Sequence, residues 1–369
     1  MKSSNRNKVA GFFIINTNII GDINMATTKQ KLVERGKTLN WKIEKEKFET
    51  IIDSKAIITQ ADTHIEEKMV SENDYIVVID TRNNPDNPND KTYIYPYKEG
   101  TYNTLVGKKF TIDWGDNTST IITDGVFTQT LLTHEYHIAG VYTVTINSET
   151  GEMPVYTLWN YKDVNNNNYK TTKIISPFLP VIYTTGSKVT TPNYSSFSLQ
   201  TGCKVDYIPE NLFKKVDYLR GLREFFIKVS TLEEIPSGIF DCLPNIVDIT
   251  RLFQDCSNLR KLPDNLFANN MNIYDFGAIF RWCDKLVINP KVFGDLTTRF
   301  SNLPSSITNI SFLDTFLMNN ENTVSGTAPA LWNCVFKKED GTILTPSKRQ
   351  TFYNCLGLSN YSDIPSDWK

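Results

Sequence analysis

The chain has 369 residues, enough for two or three domains, and its 40% hydrophobic and 22% charged residues are ordinary for a globular protein. A net charge of −2 gives no electrostatic basis for binding nucleic acid or an anionic membrane. No apolar stretch approaches the length of a membrane-spanning helix, so no membrane insertion is expected.

At the amino terminus Lys2, Arg6 and Lys8 precede VAGFFIINTNIIG. This run is short, is interrupted by Asn16 and Asn18 and lacks a small-x-small cleavage site, so it reads against a secretory leader. Met25 opens MATTKQKL, an alternative start that would make residues 1–24 an extension. Within residues 26–72, Trp41, Phe48, Ile51 and Ile52 share one face at helical spacing, and KIEKEKFE alternates charges on the other. Such a helix needs a partner surface. Two readings stand: a capping helix, or a segment that anchors or oligomerises the chain. Residues 1–73 are taken together as an amino-terminal arm and helical segment.

From Asp74 the period changes to alternation. DYIVVIDT (74–81), KTYIYPY (91–97), KKFTIDWG (108–115), TSTIIT (118–123) and GVYTVTI (140–146) read as strands. Phe110, Ile112 and Trp114 fall on one face, and so do Tyr142, Val144 and Ile146, as in half-buried antiparallel strands. Short strands separated by turns predict a β-sandwich over 74–150. Residues 151–202 are rich in Asn, Ser and Thr and read as a connector and cap.

WGD (114–116), HEY (134–136) and GVYTVTI resemble the three motifs of the PKD-type immunoglobulin-like domain, in order and spacing over about 75 residues. Trp114 and Tyr136 would fill the core, with Tyr142 on the last strand. Gly115 and Asp116 would turn the chain, His134 belongs to the second motif and Gly140 would permit the turn before the last strand. Asn117 stands where the family commonly has Gly, and Asn tolerates the same left-handed turn.

Residues 203–369 are repetitive. Pro209, Pro236, Pro263 and Pro290 are spaced 27 residues apart. IPENLF, IPSGIF and LPDNLF are copies of one phrase, with NPKVF a shortened fourth. FIKVSTLEEIP, FQDCSNLRKLP and FRWCDKLVINP align as a second phrase, which returns as FYNCLGLSNYSDIP after a break near 294–327, where APALW (328–332) again resembles the first. A fixed period of this length predicts a solenoid. Phe213, Phe240 and Phe267 would form one aromatic ladder, Phe226, Phe253 and Phe280 another, and Leu232, Leu259 and Leu286 an aliphatic one. The phrase resembles the BspA-like leucine-rich repeats, which occur in Bacteroidetes surface proteins and in virion proteins of their phages.

Cys256, Cys283 and Cys355 each lie three residues after a slot Phe, where the first unit has Val229. That interchange predicts buried free thiols rather than disulfides or zinc ligands, because no C-x-x-C pair occurs. His134 and His137 are accounted for structurally. Asp113 and Asp116 bracket Trp114 but offer too few ligands for calcium. Tyr183, Tyr194 and Phe197 could stack on sugars or cap the first repeat. No phosphate loop, dinucleotide fingerprint or nucleophile elbow is present, and Glu234, Lys261 and Ile288 align at one repeat slot, so no acidic ladder forms.

The expectation is a mainly β chain: a short amino-terminal helical segment, an immunoglobulin-like β-sandwich and a leucine-rich-repeat-type solenoid. No enzymatic activity, metal or cofactor is expected. The expected role is a phage virion structural protein, a head fibre, decoration or tail appendage. It would join other virion proteins through its amino-terminal segment, form a homo-oligomer and present a surface to a host protein or glycan. The alternative is a bacterial cell-surface adhesin.

Overall fold

A computed structural model of the chain describes residues 71–94, 109–123, 132–152, 170–180, 203–321 and 323–369. These belong to one compact unit, Val70–Lys369. The amino-terminal arm, with Trp41, Phe48, Ile51 and Ile52, lies outside the described residues, as do Tyr183, Tyr194 and Phe197. The regular structure described is mostly β with few helices, and the sheets are open.

Strands β1 (Asp74–Asp80), β3 (Phe110–Asp113), β4 (Ser119–Ile122), β6 (Val141–Ser148) and β7 (Thr171–Ile174) form one antiparallel sheet in the order β4-β3-β6-β1-β7. A ribbon of β2 (Thr92–Ile94) and β5 (Thr133–Glu135) lies against it, bringing Tyr93 and the adjoining Tyr136 into the same core as Trp114 and Tyr142. Alternation holds in β3 and β6, which bury Phe110, Ile112, Tyr142, Val144 and Ile146 on one face. It fails in β1. Ile76 and Val78 are buried along with Tyr75, Val77 and Ile79, because β1 is paired on both sides and covered on both faces.

The sheet does not end at residue 150. The segment read as a connector supplies β7, whose far edge continues into the repeats: Lys173 bridges Tyr207 in parallel, Ile174 N–H donates to the Tyr207 carbonyl and Asp206 N–H to that of Thr172. Phe178 then touches Tyr75 on one side and Phe213 and Phe225 on the other, with centroids 5.8, 6.0 and 5.8 Å away. The apolar core therefore runs unbroken from the sheet into the repeats.

In the repeats, successive units stack in parallel register, with bridges joining Gly221, Asp248, Asp275, Ser311 and Ser347 in turn. One ladder comprises Phe226, Phe253, Phe280, Phe316 and Phe352, with neighbouring centroids 5.1, 5.8, 5.5 and 5.4 Å apart and rings nearly parallel. Phe213, Phe240, Phe267 and Phe293 form the second at 5.8, 5.5 and 6.2 Å. Leu232, Leu259 and Leu286 are buried between units. Trp332, from the returning first phrase, meets Phe352 edge to face at 6.1 Å, as Phe240 meets Phe253 at 6.3 Å.

The expected break near 294–327 does not interrupt this stack. Phe280 is followed 36 residues later by Phe316 and again by Phe352, so the last two units are longer and the surplus is extruded. Part of it is the turn α1 (Leu296–Arg299), capped by Asp295, which accepts from Thr297 N–H. A third stacked pair, Phe276 and Phe312 at 5.2 Å, spans the same step. Its slot holds Leu222 and Ile249 in earlier units, which is why no aromatic ladder is visible there in the sequence.

Backbone polarity is satisfied between units. Phe226, Phe253, Phe280 and Phe316 each donate N–H to the unit that follows. So do Glu224, Arg251, Ala278 and Asp314, all of which adopt left-handed backbone with φ of 55 to 58°. That conformation costs roughly 1–2 kcal/mol for a residue with a Cβ, and the hydrogen bond it aims at the next unit offsets the cost.

Candidate binding surface

The residues of the first motif assemble a polar and aromatic cluster on the sheet. Gly115 has φ of 82°, and a Cβ there would run into the Thr143 carbonyl oxygen. Asn117 completes the turn at φ 70°. His134 stacks flat on Trp114 at 4.9 Å and meets Tyr136 edge-on at 4.5 Å, while Tyr136 stacks on Tyr142 at 3.7 Å. The Tyr136 hydroxyl donates to the Trp114 carbonyl at 2.9 Å, and the Trp114 indole N–H donates to Thr120 Oγ1 at 2.9 Å. His134 Nε2 lies 2.7 Å from Asp116 Oδ2. Burial alone would raise the Asp116 carboxyl, but hydrogen bonds from Thr118 and His134 outweigh it and hold the group below its usual range. The cluster's polar atoms face one another, so its chemistry is that of a locked core.

Gly140 departs from its expected role. Its φ is not left-handed, and a Cβ would make only ordinary contact with the Tyr142 ring at 3.7 Å. Its backbone instead pairs with Thr81, donating N–H to Oγ1 at 2.9 Å and accepting from the Thr81 N–H at 2.9 Å.

A second polar feature ties the loop NNPDNPND to the sheet. The fully buried Lys170 ammonium donates to Asp90 Oδ2 at 2.7 Å and to the Thr92 carbonyl at 2.8 Å. Burial pushes the Asp90 carboxyl up, yet hydrogen bonds from Lys170, Thr92 and Asn84 bring it down to about 2.

In the repeats the slot cysteines are buried, and each S–H reaches back one unit. Cys256 donates to the Phe226 carbonyl at 3.0 Å, Cys283 to that of Phe253 at 3.1 Å and Cys355 to that of Phe316 at 3.0 Å. Burial pushes all three thiols well up. The slot is thus not purely apolar. Asn270 fills the equivalent place in the other ladder, donating to the carbonyls of Phe240 and Leu243 at 2.9 and 3.0 Å. The six cysteines are all free.

One and two residues past each slot Phe lie two columns, Ile227, Gln254, Arg281, Leu317, Tyr353 and Lys228, Asp255, Trp282, Met318, Asn354, of which Gln254, Leu317 and Met318 are buried and the others at least partly exposed. At their centre the Arg281 guanidinium lies 4.2 Å above the Trp282 ring and 3.4 Å from Asp314. Leu313 and Tyr353 add exposed apolar surface nearby in the stack, at 37% and 44% exposure. An aromatic ring, a guanidinium and a carboxylate on one rigid face suit a polar ligand with an apolar side. The sequence reading missed this group, because columns that vary from unit to unit carry no repeat signal.

The column expected to align Glu234, Lys261 and Ile288 pairs Glu234 with Lys261 and Lys261 with Val287. Val287 and Ile288 form β8 (Val287–Ile288), parallel to β9 (Ser325–Gly326). Gly326 sits at φ 90°, where a Cβ would strike the Ile288 carbonyl oxygen. Among the described residues no three His, Cys, Asp or Glu are placed to hold a metal ion, and no helix is long and apolar enough to cross a membrane. No protein-family model, curated protein or solved structure matches the chain.

Proposed function

We propose that the chain is a phage virion structural protein, a head fibre, decoration or tail appendage. Its finer architecture is read as a PKD-like immunoglobulin-type sandwich followed by a leucine-rich-repeat-type solenoid of the BspA-like kind. The solenoid displays a surface towards host cells or glycans, and the amino-terminal segment joins other virion proteins in a homo-oligomeric assembly.

The observation that carries this reading is the junction at β7 and Phe178. The sheet and the repeats share one core there, so the column around Arg281 and Trp282 is held rigidly with respect to the sheet. Display proteins need that rigidity, because a ligand surface on a flexible tether loses binding free energy to ordering. The S–H bonds of Cys256 and Cys283 favour the virion over an exported adhesin: folding in a reducing cytoplasm preserves them, whereas disulfide formation would remove them.

The test is proteomic and structural. Peptides of this chain are expected in purified particles, with antibody labelling at an appendage or on the head. Recovery of the native chain in a secreted or envelope fraction, with its amino terminus cleaved, overturns the reading in favour of an adhesin.

A further inference from the structure

The site around Lys170 brings three groups of complementary reactivity together. Lys170 directly precedes β7, the edge strand paired with β1, and its carbonyl accepts from the Asp80 N–H at 2.7 Å. This fixes the lysine beside the loop that follows β1. Its ammonium donates to Asp90 Oδ2 at 2.7 Å, and Asn84 Nδ2 donates to the same oxygen at 2.7 Å. Amine and amide are thus no further apart than two hydrogen bonds laid end to end. Asp90 Oδ1 accepts from Thr92 N–H and Oγ1 at 2.8 and 2.7 Å, which keeps Oδ2 turned to the two nitrogens. Asn84 Oδ1 accepts from the Asp86 N–H at 3.0 Å.

Lys170 is fully buried, and Asn84 and Asp90 are each 8% exposed. A buried ion pair is often no more stabilising than apolar residues of the same volume. Nor does holding a loop require a carboxamide on the lysine's own acceptor. An amine, a carboxamide and a carboxylate shielded from water are the parts of an amide exchange: nucleophile, electrophile and proton carrier. The Asp86 N–H stands where charge develops on the amide oxygen.

We propose that Lys170 and Asn84 join in an intramolecular isopeptide bond, with Asp90 carrying the proton. Asp90 Oδ2 takes a proton from the ammonium. The freed amine attacks Asn84 Cγ, a C–N bond forms, and the Asp86 N–H holds the oxyanion. Asp90 passes its proton to Nδ2, and the Cγ–Nδ2 bond breaks to release ammonia. The extra proton on the new amide nitrogen leaves through Asp90, and the ammonia carries it off as ammonium. An ammonium and a carboxamide become a secondary amide and free ammonium, with nothing oxidised or reduced.

Asp90 is held at about 2, so moving a proton onto it is uphill and the reaction is slow. The freshly folded chain therefore carries the ion pair, and the bond accumulates with age. Once formed, it staples the loop after β1 to the strand that continues into the repeats. This chemistry rests on the geometry of the three side chains and not on the display reading.

The full chain, kept folded near neutral pH, is followed over time by intact mass spectrometry. Its mass should fall by about 17 Da, one ammonia. A tryptic digest should contain residues 83–91 joined through Lys170 to residues 163–173, with fragmentation placing the branch at Asn84. The branch distinguishes the bond from a succinimide, which also loses ammonia but stays within one peptide. Chain held in urea should keep its full mass, because proximity is lost. Asn84→Ala and Lys170→Arg should each keep theirs. A mass that never falls, in a chain whose digest lacks the branched peptide, overturns the proposal. So does a loss of about 18 Da, which means water lost at Asp90, or a branch that persists in Asn84→Ala. The parent chain alone decides the matter, whether or not a variant folds.

Discussion

In the sheet region Trp114, His134, Tyr136 and Tyr142 form one aromatic stack whose members come from three places, the end of β3, β5 with its next residue, and β6, and do not recur. In the repeat region Phe226, Phe253, Phe280, Phe316 and Phe352 fill one slot five times. The sheet closes its core with unique polar locks, His134 to Asp116 and Lys170 to Asp90. The repeats close theirs with one lock used again and again: a slot side chain donating to the carbonyl of the preceding unit. Damage in the sheet should therefore reach across the whole sheet. Damage in the repeats should be felt mainly by the units on either side.

The largest test of this contrast is Phe280→Ala. The ring is stacked on both sides, so its loss should cost about 3–5 kcal/mol, more than Phe352→Ala at the end of the ladder. Urea denaturation gives the totals. Hydrogen exchange should show lost protection in the adjoining units while β3 and β6 stay protected. Equal loss of protection in the sheet would break the contrast.

Lys170→Ala should follow, at roughly 3 kcal/mol, because it strands Asp90 beneath its loop. The double variant with Asp90→Ala should recover part of that, and absence of recovery would mean that the pair is not the lock. The same pair predicts a pH dependence. Asp90 is held at about 2 when folded, below its ordinary value of 3.8. Its stabilisation is therefore fully present above about 4 and is lost as pH falls from there through 2. The loss is on the order of 2 kcal/mol, measurable as a falling urea midpoint that the Lys170 variant lacks.

Cys283→Val should cost about 1 kcal/mol or less, since burial is kept and only the weak S–H bond to Phe253 is lost. Thiol labelling sharpens the point. Cys242 and Cys334, half-buried and raised only to about 11, should react before Cys256 and Cys283, which should label only on unfolding. The smallest effect is Arg251→Ala, which removes the exposed pair with Glu224 for about 0.5 kcal/mol or less in the same urea assay.

Where one face decided the matter, the sequence was readable. Phe110, Ile112 and Trp114 alternate because one side of β3 is buried, and the slot Phe residues recur because each unit needs the same filler. The outward column around Arg281 and Trp282 was not legible, since nothing forces such positions to repeat. Neither were the left-handed residues Glu224, Arg251 and Ala278, whose types do not advertise that conformation, while Asp314, of a type that tolerates it, shares their place in the unit. Nothing in the local sequence marks Arg299 as a buried residue. Only stacking revealed that it caps Phe267 from inside.

The sequence by itself determined the strands with alternating burial, the 27-residue period and the aromatic slots. Those depend on local spacing and on which side chains must leave water. Tertiary structure decided that Thr171–Ile174 completes the sheet and carries it into the repeats. It also decided that the lengthened units keep the stack and extrude the surplus around Arg299. These outcomes depend on contacts between residues far apart in the chain, which no local period records.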